Sequence, residues 1–124
     1  MTDKELLELA AKAVGIELRW HPDGTVYSDT RCSDYWGVWN PLRDDGDALR
    51  VAVKCNLWIG QHDDGVTISD TYGRFVGVVE ENHNNDPYAA TRRAIVRAAA
   101  EVGQIEQVQK MRQSALAAAK ENGL

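Results

Sequence analysis

Aromatic and cationic side chains are the residues of this sequence best suited to chemistry. Trp36 and Trp39 share one predicted strand, and Arg92 and Arg93 follow Tyr88 on a predicted helix. A flat aromatic ring can stack on a base, and a guanidinium can form paired hydrogen bonds with a phosphate or carboxylate. These five residues are the candidate ligand-binding residues, and the ligand that they suit is an anionic small molecule such as a nucleotide.

The positions of these residues indicate which of them a ligand could reach. Trp36 and Trp39 have opposite parity along the strand, so one should be buried and the other exposed. Arg92 flanks the apolar stripe that Tyr88 begins, whereas Arg93 lies off it and should face solvent. We expect Arg92 and the outward-facing tryptophan to form one site between this helix and a sheet. Tryptophan in a small domain usually serves the core, so a purely structural role stays open.

Three aspartates, Asp44, Asp45 and Asp47, lie close together in NPLRDDGDALR. Carboxylates with this spacing can bind a divalent cation. They also precede a predicted helix, where carboxylates accept hydrogen bonds from the first amides and favour the positive end of the helix dipole. We therefore favour helix capping, and we predict no metal site and no cofactor.

No motif in the sequence identifies an enzyme. It contains no P-loop, GxGxxG, HExxH or nucleophile elbow. His21 and His62 each lie in a predicted turn with an aspartate two residues later, but no third metal ligand lies nearby in the sequence. We predict a non-enzymatic protein.

Charge and hydropathy exclude several classes of partner. The 124 residues carry a formal net charge of −5, whereas proteins that bind duplex nucleic acid need lysine and arginine in excess. No apolar run approaches the roughly 18 residues of a membrane span, and MTDKELLELAAKAVG predicts an acidic amphipathic helix instead of a targeting segment. We expect a cytoplasmic protein that binds neither duplex nucleic acid nor membrane. Cys32 and Cys55 should then be reduced thiols.

The elements that must position these residues form two similar series. The stretch HPDGTVYSDT, 21–30, recurs as HDDGVTISDT, 62–71, with six identities in ten at a shift of 41 residues. Each copy predicts a hairpin, with a helix before it and another strand after it. We infer an α+β fold of two tandem αβββ units, about 3–40 and 44–80, whose antiparallel sheets are covered by helices. Turn chemistry alone could also explain the two HxDG segments.

Capping residues and periodicity set the bounds of the first elements. A capping box and apolar residues at helical spacing predict a helix over 3–14. Hairpin turns are predicted at 21–24 and 62–65, and the last strand of the second unit over 74–79.

A third helix is predicted to close the fold. Asp86, followed by proline, begins this helix, 86–102, and Gly103 ends it. The helix completes a single domain over 1–103, and 104–124 should form a separate C-terminal helix or tail. The thin apolar stripe of that segment suggests contact with another copy, so we expect a homo-oligomer.

Two longer segments carry a resemblance to a known family. WNPLRDDGDALRVAVK (39–54) and DPYAATRRAIVRAAAEVG (86–103), with the opening MTDKELLELAAKA, resemble small proteins from tailed phages and prophages of Gram-negative bacteria. The similarity covers the three predicted helices and so most of the chain. No catalytic motif is assigned to that family. The resemblance therefore implies only a phage-encoded accessory protein in the cytoplasm of an infected bacterium.

Two hypotheses for function follow. The first is a small-molecule binder that sequesters a nucleotide-type signal of host defence, which the aromatic and arginine residues suggest. The second is an inhibitor that presents an acidic face, including Asp44 to Asp47, to a host protein. The order αβββα also suggests a double-stranded RNA-binding module, but the acidic charge disfavours this third possibility.

Overall fold

The structure is a computed structural model that describes residues 1–29, 36–75 and 77–121, with Asp29 and Trp36 described by their backbones alone. These residues form three helices and two three-stranded antiparallel sheets, so the predicted α+β class is confirmed. The helices are α1 (Asp3–Val14), α2 (Asp45–Cys55) and α3 (Pro87–Glu121). Sheet A contains β1 (Leu18–Trp20), β2 (Val26–Asp29) and β3 (Trp36–Val38). Sheet B contains β4 (Leu57–Gln61), β5 (Gly65–Asp70) and β6 (Val79–Asn82).

The ends of α1 and α2 follow from local hydrogen bonds. The Thr2 hydroxyl accepts from the Glu5 N–H, and the Glu5 carboxylate accepts from the Thr2 N–H. Gly15, at a φ of 75°, ends α1, because glycine takes this left-handed conformation without strain. Asp44 caps α2 by accepting from the Asp47 N–H at 2.8 Å. The predicted helix over 3–14 and the capping role of Asp44 are confirmed.

The helices and sheets share one core around α3. Helices α1 and α2 pack on α3, and so do β5 and β6 of sheet B. The inner face of sheet A lies against α1 and α2 and contributes Val26 to the same core cluster. Within the described part of the chain, no helix has the length and apolar character that a membrane span requires.

Both HxDG segments form hairpin turns, as predicted, but their loops differ by one residue. In sheet A the His21 N–H donates to the Thr25 carbonyl, which closes a three-residue loop. In sheet B the His62 N–H donates to the Gly65 carbonyl, which closes a two-residue loop. Successive strand residues face opposite sides of a sheet. The one-residue difference therefore places residues that match in sequence on opposite faces of β2 and β5.

The residues that correspond in space are therefore not the residues that match in sequence. Val26 and Val66 are both buried and lie 40 residues apart, whereas the identities between the two hairpins lie 41 residues apart. Ser28 on the inner face of sheet A corresponds in position to Ile68. Its sequence match, Ser69, pairs with Trp58 on the opposite face of sheet B.

The last strand of sheet B begins later than the sequence predicts. The prediction of a strand over 74–79 is wrong, because β6 begins only at the last of these residues. Gly73 and Gly77 have φ values of 66° and 84°, and Asp70 accepts hydrogen bonds from the backbone and the guanidinium of Arg74. These contacts bend the chain after β5 and move the returning strand towards the C-terminus.

Helix α3 does not end at Gly103, as the sequence predicts, but continues to Glu121 as one helix of 35 residues. Gly103 is buried, and a Cβ atom there would overlap the Leu9 carbonyl oxygen of α1. The glycine thus permits close packing of two helices, a role that sequence alone cannot separate from a helix end. Residues 104–121 therefore extend α3 and do not form a separate element.

Candidate ligand-binding groove

The inner faces of the two sheets differ in their middle row of side chains. In sheet B this row consists of Ile59, Ile68 and Val79. In sheet A the corresponding row consists of Leu18, Ser28 and Gly37. A serine and a glycine thus occupy the places that isoleucine and valine fill in sheet B. Side-chain volume is missing where sheet A faces α2.

A cavity of about 510 Å³ lies at this place, between sheet A, α2 and the end of α1. Its apolar lining includes Val14, Ile16, Trp39 and Val51. Its polar lining consists of Ser28, Asp47, Arg50 and Lys54. Small-molecule sites are typically apolar clefts of roughly 300–1,000 Å³ that contain a few polar groups, and this groove has both properties.

Two polar groups of the groove are available to a ligand. Ser28 is 5% exposed, and its hydroxyl makes no hydrogen bond within the described part of the chain. Lys54, exposed on α2, forms no ion pair or hydrogen bond with the described residues either. Among the described residues no buried side-chain polar atom lacks a hydrogen-bond partner, so the Ser28 hydroxyl is accessible from the groove, where it can donate to or accept from a ligand. The groove therefore offers a hydroxyl on its floor and an ammonium group at its rim.

The carboxylate in the groove is already neutralised. Asp47 is buried, and one of its oxygens accepts from the Arg50 guanidinium at 2.8 Å. The other oxygen accepts from the Asn40 N–H at 2.9 Å. The Arg50 side chain is nevertheless 73% exposed, so part of its guanidinium remains open to solvent. The Asp44 carboxylate also lies 4.0 Å from this guanidinium, so Arg50 is shared between two carboxylates, and the Lys54 ammonium is the group of the rim that best suits an anion.

Trp39 forms an apolar wall of the groove. It follows β3 directly, its N–H donates to the Val26 carbonyl at 3.0 Å, and it is 7% exposed. Trp39 is thus buried. The side chain of Trp36 lies outside the described residues.

Tyr88 and Arg92 line a different groove, between α2, β4 and the start of α3. The Arg92 Nε donates to the Leu42 carbonyl at 3.0 Å, and one terminal nitrogen donates to Asp45 at 2.7 Å. The guanidinium thus ties α3 to the start of α2. The single site that the sequence predicts from Arg92 and a tryptophan is not formed with Trp39, which lines the groove on sheet A.

Tyr88 and Arg93 also differ from the predictions for them. Tyr88, placed by the sequence on the buried stripe of α3, is 70% exposed, because the first turn of α3 is open to solvent beside α2. Arg93, predicted to face solvent freely, forms ion pairs with Asp3 at 3.2 Å and Glu81 at 3.6 Å. It therefore links α1 to sheet B.

The aspartate cluster divides into three roles. Asp44 caps α2, Asp45 pairs with Arg92, and Asp47 pairs with the Arg50 guanidinium. Among the residues that the structure describes, no group of three or more histidine, cysteine and carboxylate side chains is arranged to hold a metal ion.

A second buried polar cluster lies at the end of β5 and is structural. The Asp70 carboxylate accepts from the Arg74 guanidinium and from the Tyr72 N–H, and the hydrogen bonds from Arg74 lower its pKa. The same guanidinium donates to the Cys55 carbonyl. Cys55 is a free, buried thiol, and burial raises its pKa to about 11, so it is a poor nucleophile. Cys32 lies outside the described residues.

The sequence analysis missed three polar residues of the groove. Arg50 and Lys54 lie one turn apart on α2 and so on one face, which was a detectable signal. Ser28 was not detectable, because the repeat aligns it with Ser69, and only the loop lengths reveal its true counterpart.

Comparison with protein-family models gave no match to this chain, and no curated protein or solved structure matches it. The functional assignment therefore depends on the geometry and chemistry of the groove.

Proposed function

We propose that this protein is a non-enzymatic binding protein that holds an anionic small molecule of the nucleotide type between sheet A and α2. The observation that carries the proposal is the unfilled row at Ser28 and Gly37, which opens beneath two cations. A planar base would lie against Trp39, and its phosphate would approach Lys54 and Arg50. The Ser28 hydroxyl would contact a polar edge of the base or sugar.

The proposed role is sequestration. The resemblance to accessory proteins of tailed phages suggests a nucleotide-type signal of host defence as the ligand, bound in the bacterial cytoplasm. A protein that removes a signal needs affinity and abundance, and the apolar wall and the Lys54 ammonium of the groove would contribute to the affinity.

The structure favours this hypothesis over an acidic inhibitor of a host protein. That alternative depends on the carboxylates of Asp44 to Asp47 as a negative surface. Asp45 is compensated by Arg92, and Asp47 is buried against Arg50. The segment therefore offers less negative charge to a partner than its sequence suggests.

Calorimetric titration with a panel of linear and cyclic nucleotides tests the proposal. Lys54→Ala should weaken the binding of a nucleotide about 10–100-fold, which corresponds to the loss of one charge-assisted hydrogen bond. Lys110→Ala, which removes a lysine from the exposed part of α3, is the matched control and should leave the affinity unchanged. The matching nucleoside, which lacks phosphate, should show no difference between wild type and Lys54→Ala.

Two results would overturn the proposal. Failure of the wild-type protein to bind any member of the panel would remove the small-molecule function. Equal losses in Lys54→Ala and Lys110→Ala would show that binding reflects general charge and not the groove.

A further inference from the structure

Strand β4 has an open edge. Among the strands that the structure describes, β4 pairs only with β5, and the closing pair of His62 and Gly65 fixes which peptide groups face β5. Trp58 and Gly60 exchange hydrogen bonds with β5, because such pairs alternate along an antiparallel ladder. The remaining residues direct their N–H and C=O groups to the free edge: Leu57, Ile59 and Gln61.

The edge strands β1 and β6 carry protection that β4 lacks, and β3, the other edge of sheet A, is only three residues long. β6 carries Glu80 and Glu81, and Arg97 donates to the Glu80 carbonyl at 2.8 Å. β1 contains three residues, one of which is Arg19. β4 is five residues long, LWIGQ, with no charge and no proline. Uncharged, unprotected edges are the ones that pair with another chain.

Exposed apolar side chains lie on both sides of this edge. On the inner side, Leu49 and Tyr88 are 60% and 70% exposed and line one groove with Ile59. On the outer side, Trp58 is 73% exposed. The charged residues in the groove are Asp45 and Arg92, which neutralise each other at 2.7 Å. The edge is therefore locally neutral although the chain carries a net charge of −5.

We propose that two copies of this chain pair through their β4 edges, antiparallel across a twofold axis, and so form a continuous six-stranded sheet. With Ile59 opposite Ile59 of the second copy, each Trp58 lies opposite Gly60 of the other copy. A Cβ atom at Gly60 would lie 2.9 Å from the Thr67 hydroxyl, so a side chain there would displace Thr67, and glycine leaves a strip of backbone without a side chain of its own. The exposed Trp58 ring covers that strip across the axis, because an aromatic ring packs well on a cross-strand glycine.

Because β4 is complementary to itself in this register, a second copy of the chain is the partner that we propose for the β4 edge. The exposed parts of Leu49, Trp58 and Tyr88 amount to roughly 400 Å² per copy, the size at which an apolar patch marks an interaction site. That is about half of the ~800 Å² per partner in a standard interface, before the β4 backbone and a polar rim are counted.

Hydrogen exchange measured at several protein concentrations tests this interface directly. The amide hydrogen of Ile59 faces the free edge, so it should exchange fast in dilute protein and slowly in concentrated protein. The amide hydrogen of Trp58 is bonded to β5, so it should exchange slowly in both. Sedimentation should show a dimer whose dissociation constant rises at least tenfold in the double variant Leu49→Lys, Tyr88→Lys. These residues lie on the surface, so circular dichroism should be unchanged.

Two lysines placed elsewhere provide the control. Met111→Lys with Leu116→Lys changes exposed apolar residues on α3 beyond the body and should leave the dimer intact. A dimer lost in this variant but kept in Leu49→Lys, Tyr88→Lys would assign association to α3 and overturn the proposal. A wild-type protein that sediments as a monomer would also overturn the proposal. So would an Ile59 amide whose exchange rate does not depend on protein concentration, even if another protein were found to bind this edge.

Discussion

Replacing Ser28 by isoleucine tests whether the groove is an unfilled copy of the core beneath sheet B. Ile68, the residue in the corresponding place, is completely buried, and its row is packed. A fully buried isoleucine side chain contributes about 1.5–3 kcal/mol to the free energy of unfolding. The Ser28 hydroxyl has no partner among the described residues, so its removal costs little. We expect Ser28→Ile to stabilise the protein by about 1–2 kcal/mol.

Thermal and urea denaturation measure this effect. A gain of 1–2 kcal/mol should raise the Tm by roughly 4–8 °C in a domain of this size. The same variant should lose nucleotide binding, because the new side chain fills the cavity. A variant that gains stability and loses binding has a filled cavity, whereas a variant with a damaged fold would lose both.

Two further variants complete the test. Ser69→Ile changes the residue that matches Ser28 in sequence but lies on the outer face, so it should neither stabilise the protein nor affect binding. Ile68→Ser opens the packed row and should lower the free energy of unfolding by about 3–5 kcal/mol. Equal stabilisation by Ser28→Ile and Ser69→Ile, or destabilisation by Ser28→Ile, would refute the correspondence between the two sheets.

Two other sites carry predictions about stability. Gly103→Ala should lower the free energy of unfolding by at least about 1–3 kcal/mol in urea, because its methyl group meets the Leu9 carbonyl where α1 and α3 touch. Retention of wild-type stability would show that the helices move apart freely. Asp70→Asn should cost about 3 kcal/mol, since it breaks a buried ion pair with Arg74. Hydrogen bonds from Arg74 lower the folded-state pKa of Asp70, so its contribution is complete above the unfolded-state pKa of about 3.9 and is lost as the pH falls through the folded-state pKa. Denaturation from pH 6 to pH 2 should show this loss in the wild type and not in Asp70→Asn.

Local signals predicted much of this fold. The capping box at Thr2, the cap at Asp44 and both HxDG turns depend on residues within four positions of each other, and all are present as the sequence predicts. The start of α3 likewise follows from Asp86, whose carboxylate accepts from the Ala89 N–H at 3.1 Å. Both partners of each contact are near neighbours in the chain, which is why the sequence reveals them.

Features that depend on distant contacts were not predictable in the same way. Gly103 resembles a helix end in sequence, and only the position of α1 shows that it serves packing. Arg92 flanks the buried stripe of α3 as expected, but its partner, Asp45, belongs to another helix that helical periodicity cannot place. The sequence therefore predicts the position of Arg92 on α3 but not the ion pair that it forms.

The α2 helix explains how one small fold can contain a groove and an edge that act independently. Its residues Arg50 and Lys54 line the groove on sheet A, whereas Ala48 and Leu49 line the groove beside β4. The two surfaces lie on different sides of one rigid helix, and its buried residues anchor it between them. A ligand bound beneath sheet A would therefore leave the β4 edge free to pair, so a dimer would present two separate grooves. Such an arrangement doubles the binding capacity of each assembly without requiring any coupling between its sites.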